Sequence, residues 1–169
     1  MLRATIQKDG DSDTVDSFFA MRKVEVKKDG ADITRLFLNG KPYFQVGLLD
    51  QGFWPDGLYT APTDDALKYD VEVTRKLGFN LIRKHVKVED QRWYAWCDRL
   101  GMLVAQDMPS SHDLSTELAR ERFLQEWLEI VDQLRAHRCI VMWIPFNEHW
   151  GEPPPDFQRE VVRATRAAD

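Results

Sequence analysis

Two cysteines in 169 residues, Cys97 and Cys139, are too few to staple a fold, and both sit inside apolar stretches with no ligand spacing. They read as buried thiols, not as a disulfide or a metal site. No apolar run is long enough to span a bilayer, so no membrane partner is expected. Basic residues are outnumbered and scattered: 23 Lys and Arg against 28 Asp and Glu leave a net charge of −5. A chain of this charge has no broad attraction for phosphate backbones, and nucleic acid is excluded as an expected partner. Zinc, Walker and dinucleotide motifs are also lacking, so the expectation is no metal and no cofactor. The first residues, Met1 to Thr5, have neither the charged flank nor the apolar stretch of a signal peptide. They read like mid-strand, so the natural beginning is expected upstream, and the compartment stays open.

What is present is an ordinary globular composition, 43% hydrophobic and 30% charged, in a chain long enough to bury a core without disulfides. From Leu2 to Phe44 short alternating runs, Thr5 to Gln7, Arg22 to Val26 and Arg35 to Leu38, are separated by Lys-Asp-Gly, Lys-Lys-Asp-Gly and Asn-Gly. These are strand and hairpin signals. Near Lys41-Pro42 the periodicity changes, and apolar strand-like runs begin to alternate with longer amphipathic segments, the grammar of βα units and a parallel sheet.

The predicted strands are Phe44 to Leu49, Asn80 to Arg83, Leu103 to Ala105 and Cys139 to Ile144. A helix follows each, the first capped at Thr63 and stopped at Gly78, the second stopped at Gly101, the fourth running from about Asp156 to the end. Trp93, Trp96 and Trp127 lie at helical core spacing, whereas Trp54 and Trp150 lie in loops beyond strand ends. There an aromatic face either stacks on a sugar ring or anchors the loop. Pro145 ends the fourth strand, and Phe146-Asn147-Glu148-His149-Trp150 emerges at its carboxyl end. Asp50 and Gln51 follow the first strand, Arg83 and His85 the second, and Asp107 the third, so all are expected to share one mouth with Glu148. A mouth rich in hydrogen-bonding groups suits a polyhydroxylated substrate. His112 and His137 read as solvated or capping residues.

Taken in order, Phe19 to Lys23, Phe37 to Pro42, Lys76 to Arg83, Trp96 to Gly101 and Trp143 to Glu148 resemble glycoside hydrolase family 2, the group of β-galactosidases, β-glucuronidases and β-mannosidases. The resemblance implies an α/β fold: a partial (β/α)8 TIM barrel of about four βα units, preceded by strands from the end of an immunoglobulin-like β-sandwich. Residues 1–20 would be the remnant of the sandwich, 21–44 a hairpin leading into the barrel, and 45–169 the first half of the catalytic domain.

It further implies that Glu148 is the general acid/base of a retaining β-glycosidase and that Asn147 binds substrate. Asp50, Gln51, Trp54, Arg83, His85, Asp107 and Trp150 are the other substrate-side candidates. The chemistry accounts for the types: a departing sugar oxygen needs a proton, and a carboxylic acid can give it and later take one from water. The family's pattern has two residues between the arginine and its histidine, then Tyr-Pro; Arg83-Lys84-His85-Val86 is shorter.

A retaining enzyme also needs a nucleophilic carboxylate about 5 to 5.5 Å from the acid/base, and by the resemblance it belongs to a seventh strand beyond Asp169. The chain is therefore expected to be a truncated catalytic domain, inactive alone, with half-barrel edges that invite self-association. The alternative is a non-catalytic carbohydrate-binding or scaffold fragment. An aldolase-like barrel ranks last, because Lys84 alternates with Arg83 and points away.

Overall fold

Period-two alternation in four short strands organises the larger part of the molecule. A computed structural model describes residues 2–109, 113–148 and 153–169. Two compact units divide the chain, Met1–Tyr43 and Phe44–Asp169.

In the first unit β1 (Leu2–Lys8) and β2 (Asp11–Ser17) form an antiparallel hairpin. Asp9 and Gly10 both take positive φ at its turn, the geometry that matches the twist of paired strands. β2, Asp-Ser-Asp-Thr-Val-Asp-Ser, was not expected as a strand because it carries almost no apolar residue. The turn sets its register, and Arg3 to Asp16 and Thr5 to Thr14 couple the two strands through side chains. β3 (Val24–Lys28), β4 (Thr34–Leu38) and β5 (Lys41–Pro42) form a second antiparallel sheet, with Asn39-Gly40 as the tight turn.

The second unit is four successive strand–helix pairs. β6 (Gly47–Asp50), α1 (Asp64–Lys76), β7 (Leu81–Lys84), α2 (Gln91–Leu100), β8 (Leu103–Asp107), α3 (Glu117–Leu134), β9 (Ile140–Ile144) and α4 (Pro155–Ala168) follow in order. The sheet is parallel throughout and its strands lie in sequence order. β6 starts later than its apolar run, because the Asn80 side chain takes the place of ladder partners, donating to the Phe44 carbonyl and accepting from the Val46 amide, both at 2.9 Å. Thr63 caps α1 by accepting from the Ala66 amide, and Gly101, at φ 70°, ends α2 in the left-handed conformation.

Register sorts the side chains. Leu49 pairs with Arg83, Arg83 with Ala105 and Ala105 with Met142, while Asp50 pairs with Lys84, Lys84 with Gln106 and Gln106 with Trp143. Residues paired in this way share a face, and the next residue along each strand takes the other. The helix-covered face holds the main core, in which Leu67 and Val71 of α1 and Trp93, Tyr94 and Cys97 of α2 pack on Ile82, Val104 and Ile140. A second cluster, Phe123, Trp127 and Val131 of α3 with Phe157 and Val161 of α4, continues it. Trp93 and Trp127 are buried, Trp96 only half so, its indole donating to Asp64. Cys97 and Cys139 are free and buried. The opposite face leaves Leu49 and Met142 exposed.

Candidate active site at the carboxyl ends of the strands

Arg83 is the centre of the exposed face. Its Nε and Nη2 donate to the two oxygens of Asp107 at 2.9 Å each, a fork-to-fork pair that fixes the plane of the guanidinium. The same Nη2 donates to Asn147 Oδ1 at 2.9 Å. Asp107 is almost wholly buried and Arg83 about one-third exposed, at 1% and 33% of side-chain surface, so the pair closes the floor of the site while its outer edge stays open.

Asn147 Oδ1 takes a second partner, His85 Nε2 at 3.0 Å, and on the far side of the ring Nδ1 lies 3.0 Å from Gln51 Nε2. An amide nitrogen can only donate, so Nδ1 accepts and Nε2 carries the hydrogen it gives to Asn147. Gln51, His85, Asn147, Arg83 and Asp107 thus form one continuous chain across the ends of all four strands. With its oxygen bonded twice, the Asn147 amide is locked in rotation and its Nδ2 is the donor left for a ligand. Phe146 anchors the same segment, stacked on Phe123 at 5.4 Å and 3°. Glu148 follows, exposed and without a hydrogen bond or ion pair among the described residues.

The backbone makes room for this arrangement at Val86, whose φ is +46°. A β-branched residue in the left-handed region is strained by about 1–3 kcal/mol. Alternation already puts His85 on the open face; the kink after it turns Lys87 to the interior, and Asp107 receives the Val86 amide at 3.3 Å. The shortened Arg83-Lys84-His85 spacing still delivers an imidazole to Asn147.

Asp50 departs from expectation. It was expected to face the mouth with Gln51, but alternation puts it on the helix-covered side, where Oδ2 lies 2.5 Å from Lys84 Nζ. Lys84 also donates to Glu89 at 3.2 Å, and Lys87 pairs with Glu89 at 2.9 Å. Nearby on α1, burial first and the Asp50 charge second raise the Asp70 carboxyl pKa. This cluster went unrecognised in the sequence, where Lys84, Lys87 and Glu89 look like ordinary surface charge. Trp54 likewise turns from the rim, packing on the main core and bridging to Leu58. Trp150, His112 and Glu152 lie outside the described residues. Among those described, no group of side chains has the makings of a metal site.

No family model matches the chain. It is 25% identical over 135 residues to a β-galactosidase of Vibrio cholerae, an alignment covering 75% of this chain and 13% of that enzyme. A β-galactosidase of Thermoanaerobacter pseudethanolicus is 26% identical over 88% of this chain and 19% of its own length. A putative β-glucuronidase of Formosa agariphila is 27% identical, over 92% and 18%. The chain resembles glycoside hydrolase family 2 enzymes. In fold it matches the β-glucuronidase of Parabacteroides merdae with a TM-score of 0.81 at 20% identity, covering 99% of this chain and 22% of that one. A family 2 β-galacturonidase of Eisenbergiella tayi, solved bound to galacturonate, gives 0.76 at 18% identity, over 94% and 28%. The chain therefore spans less than a fifth of the length of these three curated relatives.

Proposed function

We propose that this chain supplies the acid/base side of a retaining β-glycosidase site, on the first four βα units of an eight-unit barrel. Glu148 gives a proton to the glycosidic oxygen as its bond breaks and then takes one from the attacking water. Asn147 Nδ2 donates to a sugar hydroxyl beside that bond. Gln51, His85, Arg83 and Asp107 form the wall that holds Asn147 in place. The observation that carries this reading is the doubly bonded Asn147 oxygen at the carboxyl end of β9, immediately before a glutamate that is exposed and has no partner among the described residues. Ligands of parallel α/β sheets bind at that end of the strands.

Retention needs a second free carboxylate about 5 to 5.5 Å away. Asp50 and Asp107, the carboxylates at neighbouring strand ends, are both held in ion pairs. The 169-residue chain by itself then binds a β-glycoside without turning it over, which is also what a non-catalytic carbohydrate-binding module would do. Its parallel edge strands, β6 and β9, each pair on one side only and favour association with another copy.

Titrating the chain with β-galactosides, β-glucuronides and β-mannosides, read by tryptophan fluorescence, tests the proposal. Saturable binding is expected, weakened about tenfold by Asn147→Ala, the loss of one good hydrogen bond. Failure of every glycoside to bind, or retaining turnover that survives Glu148→Gln, would refute it.

A further inference from the structure

At the end of β7 and just beyond it, two lysines on the helix-covered side are essentially excluded from water, with side-chain exposures of 1% for Lys84 and 2% for Lys87. Lys84 Nζ reaches Asp50 Oδ2 and Glu89 Oε2 and lies 4.1 Å from the centre of the Trp93 ring. Lys87 Nζ donates to the carbonyls of Gly52 at 2.7 Å and Tyr59 at 2.9 Å and forms an ion pair with Glu89 at 2.9 Å. Two ammonium groups face the carboxylates of Asp50 and Glu89, with the Asp70 carboxyl nearby on α1.

Stability alone does not account for such a cluster, because well-packed apolar residues in place of a buried ion pair are often neutral or stabilising. An apolar side chain cannot, however, satisfy a buried carbonyl, and that of Gly52 is held here. The gripped backbone is that of Asp50 and Gly52. Asp50 is held through its carboxylate, by Lys84 at Oδ2 and by the Gly52 amide at Oδ1, 2.7 Å away; Gly52 is held through its carbonyl by Lys87. Gly52 takes φ +63°, and a Cβ there would stand 2.6 Å from Glu89 Oε2 and 2.8 Å from Lys87 Nζ. The residue between the two clamped positions is Gln51, exposed, with its amide on His85.

The geometry points to Lys84, Lys87 and Glu89 as positioning residues that act through the Asp50–Gly52 backbone to hold Gln51 against His85 and so select the imidazole tautomer that donates to Asn147. This rests on the reading of Gln51, His85 and Asn147 as one wall of a sugar site, but its test reads the imidazole and needs no sugar. Nitrogen-15 spectra of the whole chain at mildly alkaline pH, with the His85 signals assigned by His85→Gln, give the tautomer directly. In the unaltered chain one His85 nitrogen resonates as bare and the other as protonated.

In Lys87→Met the two His85 resonances move toward each other as the tautomers mix, matching Gln51→Ala, and the double variant adds nothing further. The other three imidazoles keep their positions. Gly52→Ala, which displaces the loop with every charge in place, gives the same signature and serves where loss of the lysine unfolds the chain. Unchanged His85 resonances in folded Lys87→Met or folded Gly52→Ala would overturn the assignment, as would effects that add in the double variant. Absence of glycoside binding with the predicted spectral change would instead refute the proposed function and leave the positioning role standing.

Discussion

Asp107 shows how much one side chain carries. It accepts both arms of Arg83 and the Val86 amide from a position with almost no contact with water. Asp107→Ala leaves those donors unpaired and frees the guanidinium that holds Asn147. The expected loss is about 1–3 kcal/mol, read as a lower urea midpoint. Arg83, His85 and Asp107 were all legible as residues of the open face, since each lies at or just beyond the carboxyl end of a strand. Asp50 was not, because placing it needed the strand register: adjacent residues on a strand cannot both face the same way, and Gln51 is the one that reaches the mouth.

Single elements are set by their ends. α2 begins at Asp90, whose carboxylate accepts from the Arg92 side chain and backbone amide. The guanidinium first, and the amide second, hold the Asp90 carboxyl down at about 2, against an ordinary 3.8. A carboxyl with a lower pKa in the folded state favours folding wherever it is ionised in both states, so its contribution is complete above about pH 4 and disappears as pH falls through about 2. Asp90→Asn keeps a capping oxygen but not the charge. Urea midpoints of the two proteins should therefore differ at neutral pH and converge between pH 3.8 and about 2; a gap that persists at pH 2 would exclude the ionic contribution. Helix positions were readable because caps, glycine stops and apolar spacing are local. β2 was not, because a polar strand is specified by its turn and its partner.

In the four-stranded sheet, one face is covered by helices while the other exposes Leu49 and Met142, and among the described residues β6 and β9 each pair with one strand only. Parallel edges of this kind pair readily. Mass measured in solution across a concentration series is expected to rise from monomer toward dimer, and a constant monomer mass would count against the proposed association.

Composition, turn signals and the alternation of strand-like with helix-like periodicity determined the order of the four strand–helix pairs, and the run ending in Asn147-Glu148 marked a candidate site, because these are properties of neighbours along the chain. The sequence by itself could not say that Asn147 is held by both Arg83 and His85, or that Lys84 and Lys87 are buried beneath Gln51. Those facts join residues up to 64 positions apart. They depend on strand register and on a left-handed turn at Val86, which only the packed sheet and its helices decide.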